Sequence, residues 1–480
     1  MAEAALPRRR SNAIKHGPKK RNIECGQIID QGAVEHPPIT HQGSSPGQSP
    51  PIFPSAQSSR RERKTPSLPP ASESEYMTNT LAVAEPGLNC KPTRDFGSRD
   101  TSRIEFLDGL RCVAILAVLL FHYFSRWAPP WHSENLYPYG NVLSPLFGLG
   151  GYGVTLFFVV SGFVITLTLF KCESFLEFFT RRFCRLLPAM LVCSVVTFLI
   201  TTFVPGSLFK IHPAAFLPSL TFIEPNIFNK IFSTTVFASI DDVYWSLYVE
   251  VRFYLLISAI YFLSPKHFLR NTLSFSAITF LCTIVLDILH LDTLSKVLGF
   301  VAISAALPWF IIGIGCYLRF SGESASRWLP AVILGTMQLL ASSKGKPVPI
   351  IMAVIIPAFF FLAMTNRTAS RILSCRPLPA VGVCSYSLYL LHQNAGVTLI
   401  RFFSRAFSLG TVQSIALACV VAIALIVFSY GLFQLYERPV NKYLLGLLLK
   451  KQGATVCPSL PVTPSGNVQA AGEGAEVSAT

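Results

Sequence analysis

The chain has 480 residues, 51% of them hydrophobic and 14% charged, with a mean hydropathy of +0.48, a balance that excludes an ordinary water-soluble globular protein. Its net charge of +15 does not indicate nucleic acid, because the basic residues sit in tails and short loops where membrane orientation accounts for them. Twelve cysteines are scattered singly, several inside apolar segments (Cys112, Cys193, Cys282, Cys316, Cys419), so neither a disulfide framework nor a metal site is indicated.

Residues 1–100 are rich in Pro, Ser, Gln and charge and cannot bury enough apolar surface to offset chain entropy. A disordered, basic, cytosolic tail is expected there. Its clusters Arg8 to Arg10 and Lys19 to Arg21 are read as topogenic rather than nuclear. The tail contains no apolar run typical of a cleavable signal, so the first spanning helix is expected to act as signal anchor.

From about residue 107 to 436, apolar runs recur that are each long enough to cross a hydrocarbon core of about 30 Å. The short alternating segments of a β-barrel are absent. The expected fold is all-α, a polytopic membrane helical bundle of about ten transmembrane helices. They are placed near 107–126, 149–170, 187–204, 245–264, 270–290, 298–318, 327–341, 348–364, 382–403 and 412–436. The seventh and eighth are short and hold Pro330 and Pro357, which leaves open a re-entrant or tilted segment. Residues 446–480 are expected to be a flexible tail.

Loop charge sets the orientation. Lys171, Arg181, Arg182 and Arg185, then Lys266, Arg270, Arg319, Arg327, Arg367, Arg371, Arg376, Arg438 and Lys442 fall on one side, which predicts cytosolic termini. The sequon Asn366-Arg367-Thr368 falls on that side and is expected to stay unmodified.

Ionisable residues inside spanning helices are functional candidates because they are costly there. In the first helix, Arg111 and His122 are eleven residues apart, which puts both on one stripe about 16 Å apart in depth, with Asp108 one turn before Arg111. An interfacial Arg that snorkels and a structural His explain the pattern equally well. Glu250, in Trp245-Ser246-Leu247-Tyr248-Val249-Glu250, lies at a depth close to His122. It is expected either to meet that ring or to satisfy itself on Arg252 or Tyr254 of its own helix. Arg181, Arg182 and Arg185, ahead of Pro188, are suited to grip phosphates, or serve only the positive-inside rule. Ser161-Gly162 and Gly148 to Gly153 make the second helix small-faced. The ninth carries Tyr389 and His392 with neighbouring hydroxyls.

Together these segments resemble the acyltransferase 3 family of multipass membrane O-acyltransferases. The matching pieces are Leu107-Asp108-Gly109-Leu110-Arg111 through His122, Gly151 to Phe163, Arg182-Phe183-Cys184-Arg185-Leu186-Leu187-Pro188, Trp245-Ser246-Leu247 with Glu250, and Ser385-Tyr386-Ser387-Leu388-Tyr389 to His392. They run in the family's order across roughly 101–440, and a transmembrane domain over 101–445 is expected. Thr155 and Cys112 stand where members often carry Asp and Gly.

The resemblance implies transfer of an acetyl or other short acyl group from acyl-CoA to a hydroxyl of a metabolite, lipid or glycan. The donor is then a co-substrate, with no permanently bound cofactor. Arg111, Arg182 and Arg185 become candidate donor-binding residues. His122 becomes the candidate general base, with Asp108 as the catalytic candidate that orients Arg111 and Glu250 as the one that orients His122 or binds the acceptor. Ser161, Tyr389 and His392 are candidates for binding substrate, His392 being either an acceptor-binding or a structural residue. A transporter or proton-coupled permease is the rival reading, since buried His, Glu and Arg also serve relays.

Overall fold

The computed structural model describes residues 101–132, 135–137 and 139–451. The expectations for residues 1–100 and 452–480 fall outside the described residues.

Among the described residues, eighteen α-helices follow in chain order. They are α1 (Thr101–Phe124), α2 (Gly140–Phe147), α3 (Gly153–Leu169), α4 (Phe175–Phe203), α5 (Phe216–Thr221), α6 (Pro225–Ile231), α7 (Trp245–Leu263), α8 (Phe268–Ile288), α9 (Asp292–Val301), α10 (Leu307–Phe320), α11 (Ala325–Ser342), α12 (Pro347–Thr365), α13 (Arg367–Ser374), α14 (Leu378–Val383), α15 (Ser385–Leu391), α16 (Asn394–Ala406), α17 (Thr411–Leu432) and α18 (Arg438–Lys451). A π-helical turn, Phe433–Glu437, joins the last two. No strand occurs among the described residues.

Seven helical stretches of the described residues are long and apolar enough to cross a membrane: Glu105–Phe124, Leu143–Leu169, Phe175–Phe203, Asp242–Leu263, Pro265–Ile288, Pro347–Thr365 and Thr411–Leu449. Large apolar side chains line the outer faces of two of them, Ile278, Leu281, Val285 and Ile288 on α8 and Val420, Ile423 and Val427 on α17. Such helical stripes are solvated by lipid.

The expected count of about ten differs from seven at three places, each with a local cause. The run 298–318 splits into α9 and α10, because Ile303 turns the chain at φ +48° and Pro308 restarts the helix at its first turn. The run 327–341 forms the continuous helix α11, long enough at 18 residues but not apolar enough to count as a spanning helix. The run 382–403 breaks into α14, α15 and α16. Pro330 and Pro357 lie inside unbroken helices α11 and α12, so the prolines interrupt neither.

The third predicted span begins earlier than expected. Helix α4 starts at Phe175 rather than 187, because Ser174 accepts from the Glu177 amide at 3.1 Å while the Glu177 carboxylate accepts from the Glu173 amide at 2.9 Å, close to a capping box. The arginines therefore ride on the helix rather than in a loop before it. At the other end, α18 runs to Lys451, so the first residues of the expected C-terminal tail are helical.

Helix α1 lies at the centre, with Leu110, Ala114, Ile115 and Val118 fully buried. It packs on α3 through Gly153, where a Cβ would strike the Ala114 carbonyl and the Val118 side chain. Helices α3 and α10 cross through Gly162 and Gly313, each of which lies against backbone of the other helix. These small residues serve close approach.

Candidate active site

Five helices, α1, α3, α4, α7 and α15, deliver polar groups to one cavity. On α4, Arg181 pairs with Glu177 one turn back at 2.7 Å, which neutralises it locally. Arg182 turns inward and is buried. Its guanidinium bonds to the Thr168 hydroxyl and reaches the Val164 carbonyl at 3.4 Å, both on α3, and it lies against the rings of Phe178 and Tyr254. Its Nε is buried without an acceptor. Arg185, one turn further, lines the same cavity.

On α7, Glu250 Oε1 accepts from Ser161 Oγ at 2.6 Å and from Tyr254 OH at 2.7 Å. Arg252 instead pairs with Glu224 at 3.5 Å and donates to the Phe300 carbonyl at 2.7 Å. Of the self-satisfying alternatives for Glu250, the Tyr254 contact is therefore realised and the Arg252 pair is not. On α1, Arg111 donates to Asp108 at 2.7 Å, and Arg111 lines the cavity whereas Asp108 does not.

This first cavity is a cleft with about 710 Å³ of free space, part of it open to the outside. Arg111, Ser161, Arg182, Arg185, Glu250 and Tyr389 all line it, so residues far apart in sequence converge.

A second cavity, of about 490 Å³, is lined by His122 with Arg126, Trp127, Asp242, Trp245 and Gln393. Val154 and Tyr389 line both cavities, and so form the partition between them. The Tyr389 hydroxyl is held by Ser246 Oγ at 2.8 Å and the Val243 carbonyl at 2.9 Å.

The arrangement bears on two expectations. Glu250 does not orient His122: they line different cavities, and the His122 Nδ1 contacts are the Val118 carbonyl at 2.9 Å and His392 Nε2 at 3.2 Å. Helix α7 presents Glu250 to Ser161 of α3. His392, expected either to bind the acceptor or to be structural, is fully buried and lines neither of these two cavities. The chain breaks just after it, which swings its ring behind His122.

That break has a cause that hydropathy and spacing do not reveal. The Asn394 amide donates to Asp241 Oδ2 at 2.7 Å instead of continuing the helical ladder. The Asn394 side chain donates to the Ile240 carbonyl at 2.9 Å, and Asp241 Oδ1 accepts from the Val243 amide at 3.2 Å. Asp241 is fully buried. Burial raises its carboxyl well above the usual range, against the lowering pull of the Asn394 and Val243 amides. Asp242, Gln393 and Thr168 also escape the sequence reading. The available signal is the adjacent pair Asp241-Asp242 in a far-side loop whose other acidic residue is Glu224.

Asn366 of the sequon caps α13, accepting from the Thr368 and Ala369 amides at 2.9 and 3.0 Å.

A family model described as an acyltransferase domain matches residues 104–433. The chain is 24% identical over 323 residues to the O-acetyltransferase OatA of Staphylococcus aureus, a match covering 60% of this chain and 49% of that protein. It is 27% identical over 325 residues to the peptidoglycan O-acetyltransferase OatA of Listeria monocytogenes, covering 60% and 48%. An O-acetyl transferase of Shigella phage Sf6 matches over 94 residues at 33% identity, covering 19% of this chain and 25% of the phage protein. The chain thus spans about half the length of the two bacterial relatives. No solved structure matches it.

Proposed function

Because the chain belongs to the acyltransferase 3 family, a membrane family of acyl-transfer domains, we propose that it is an O-acyltransferase that moves an acetyl or other short acyl group from acyl-CoA to a hydroxyl of a metabolite, lipid or glycan. The observation that carries this reading is the pair of cavities meeting at Val154 and Tyr389, one rimmed by Arg111, Arg182 and Arg185 and the other by His122. That the relatives are O-acetyltransferases supports acetyl as the group moved.

The first cavity is the donor site in this reading. A buried guanidinium with no carboxylate bonded to it and an unsatisfied Nε is costly until an anion arrives, and phosphate oxygens accept from Arg in a bidentate way. The donor enters from the cytosolic side, the side to which the Lys and Arg of the loops assign the arginines, and both termini lie there. Arg182, Arg185 and Arg111 take the phosphates, with Asp108 fixing Arg111. Ser161, Tyr254 and Glu250 form a hydrogen-bonded polar band in the same cavity that positions the acyl-bearing arm.

The second cavity takes the acceptor. His122 Nε2 removes the proton of the acceptor hydroxyl as its oxygen attacks the thioester carbonyl. The tetrahedral intermediate collapses with cleavage of the C–S bond. The CoA sulfur leaves as thiolate and regains the proton from the imidazolium, so an ester C–O bond replaces the thioester. The thioester is already activated, so positioning plus one base accounts for the reaction.

The test replaces His122 by Ala. After membrane insertion is confirmed, membranes are incubated with acetyl-CoA carrying a labelled acetyl group, and both free CoA and label in the lipid and metabolite extracts are measured. Loss of both is expected, and turnover near the wild-type rate removes His122 from the mechanism. A transporter predicts solute flux with no dependence on acyl-CoA.

A further inference from the structure

Behind the base lies a second imidazole whose hydrogen bonds run in one direction. His392 closes α15, immediately before the break that Asp241 imposes at Asn394. Its Nδ1 lies 2.7 Å from the Tyr389 carbonyl. A carbonyl only accepts, so the proton of a neutral His392 sits on Nδ1 and its Nε2 carries the lone pair. That Nε2 is 3.2 Å from His122 Nδ1, and the rings meet at 78° with centroids 4.8 Å apart, an edge approach.

His122 Nδ1 therefore faces two acceptors, His392 Nε2 and the Val118 carbonyl at 2.9 Å. It must carry a hydrogen. The lone pair of His122 is then on Nε2, the nitrogen on the far edge of the ring, and His122 lines the acceptor cavity. The Val118 carbonyl belongs to the helix ladder of α1 itself, one turn back, and allows the ring to swing about its own bond. The second acceptor, from another helix, removes that freedom.

We propose that His392 is a positioning residue that fixes the tautomer and ring orientation of His122 and strengthens its hold as positive charge develops there. The proposal rests on the reading of His122 as base. When His122 Nε2 takes the acceptor proton, the Nδ1–H···Nε2 bond to His392 becomes charge-assisted and shorter, so it stabilises the transition state more than the ground state. His392 performs this only as a neutral acceptor, and the Tyr389 carbonyl keeps it so oriented. The same arrangement of a base steadied by a buried partner recurs in metal sites and nucleophile–base pairs. Tyr389 thereby acts twice, with its ring in the partition and its carbonyl setting the orientation of His392.

The experiment compares His392→Ala and His392→Gln in the full chain in membranes, reading transfer of label from acetyl-CoA to the membrane extract, the donor KM, and the thermal stabilisation given by CoA. His392→Ala is expected to lower kcat by ~10- to 100-fold, the loss typical of removing such a partner, with donor KM and the CoA-induced thermal shift unchanged. His392→Gln recovers part of the rate, because its amide NH2 can donate to the Tyr389 carbonyl while its oxygen accepts from His122 Nδ1. In a His122→Ala background, His392→Ala should cost nothing further. The proposal is overturned if kcat is unchanged in both variants, if the two lose rate equally while their thermal midpoints match wild type, or if the losses at 122 and 392 multiply. If His122→Ala itself retains turnover, the reading of the base fails. If His122→Ala is inactive and His392→Ala is not, only the role of His392 fails.

Discussion

Replacing Arg182 by Met separates a ligand-binding arginine from a structural one, because the two roles move stability in opposite directions. Arg182 is buried, its Nε has no acceptor, and its remaining contacts are the Thr168 hydroxyl, the Val164 carbonyl and two aromatic rings. Met has a similar length and needs no partner, so without donor the variant should unfold at the same temperature as wild type or higher, as when a buried charge gives way to an apolar residue. With donor, one or two charge-assisted hydrogen bonds to phosphate are lost. At about 1.5–3 kcal/mol for each such bond, allowing for overlap, the deficit is about 2–4 kcal/mol, or about 30- to 700-fold in donor affinity. The assay is CoA-dependent thermal stabilisation of the protein in detergent, with the donor KM measured on membranes. A variant that keeps its affinity for CoA within about threefold, or that melts well below wild type without ligand, would refute a donor role for Arg182.

Other consequences follow from neighbouring contacts. Ser161→Ala and Tyr254→Phe each remove one of the two hydroxyls that donate to Glu250 Oε1, and each is expected to cost about 1.5–3 kcal/mol of stability. The double variant should depart from the sum of the two single losses, because both hydroxyls donate to the same carboxylate oxygen, as a double-mutant cycle of melting curves will show. Gly162→Leu places a side chain against the Phe310 backbone of α10, and low yield of folded protein is expected, with a loss of at least about 1–3 kcal/mol. Asp241 should make stability fall with rising pH. Its folded carboxyl is raised by burial, so its contribution is complete below about pH 4, the unfolded value, and is lost as pH climbs through the folded value. In Asp241→Asn the difference in melting temperature from wild type should therefore shift in the variant's favour as pH rises above about 4, and a difference that stays constant with pH would sink this argument.

Several elements are legible in the order of residues alone. The asymmetry of loop charge and the lengths of the apolar runs locate the spanning helices from Glu105 to Phe203 and from Asp242 to Ile288, because lipid imposes a length and polarity on each helix independently of its neighbours. Helical periodicity also puts Arg111 near Asp108. The start of α4 is encoded in Ser174 and Glu177, but the charged residues that follow do not look like a membrane span. Hydropathy ends where the first arginine appears, whereas the helix does not.

The sequence by itself determined that this chain is helical and lipid-solvated, which residues inside the helices are costly to bury, and the approximate depth of each along its own axis. Those properties are local, set by the chain's own spacing and by the bilayer. The tertiary structure decided which of these residues meet. Rotation of α7 about its axis gave Glu250 to Ser161 rather than to His122, and the withdrawal of the Asn394 amide by Asp241 broke a predicted span and carried His392 to the back of His122. Side-chain azimuth and helix breaks depend on partners distant in the chain, so spacing along one helix carries no information about them.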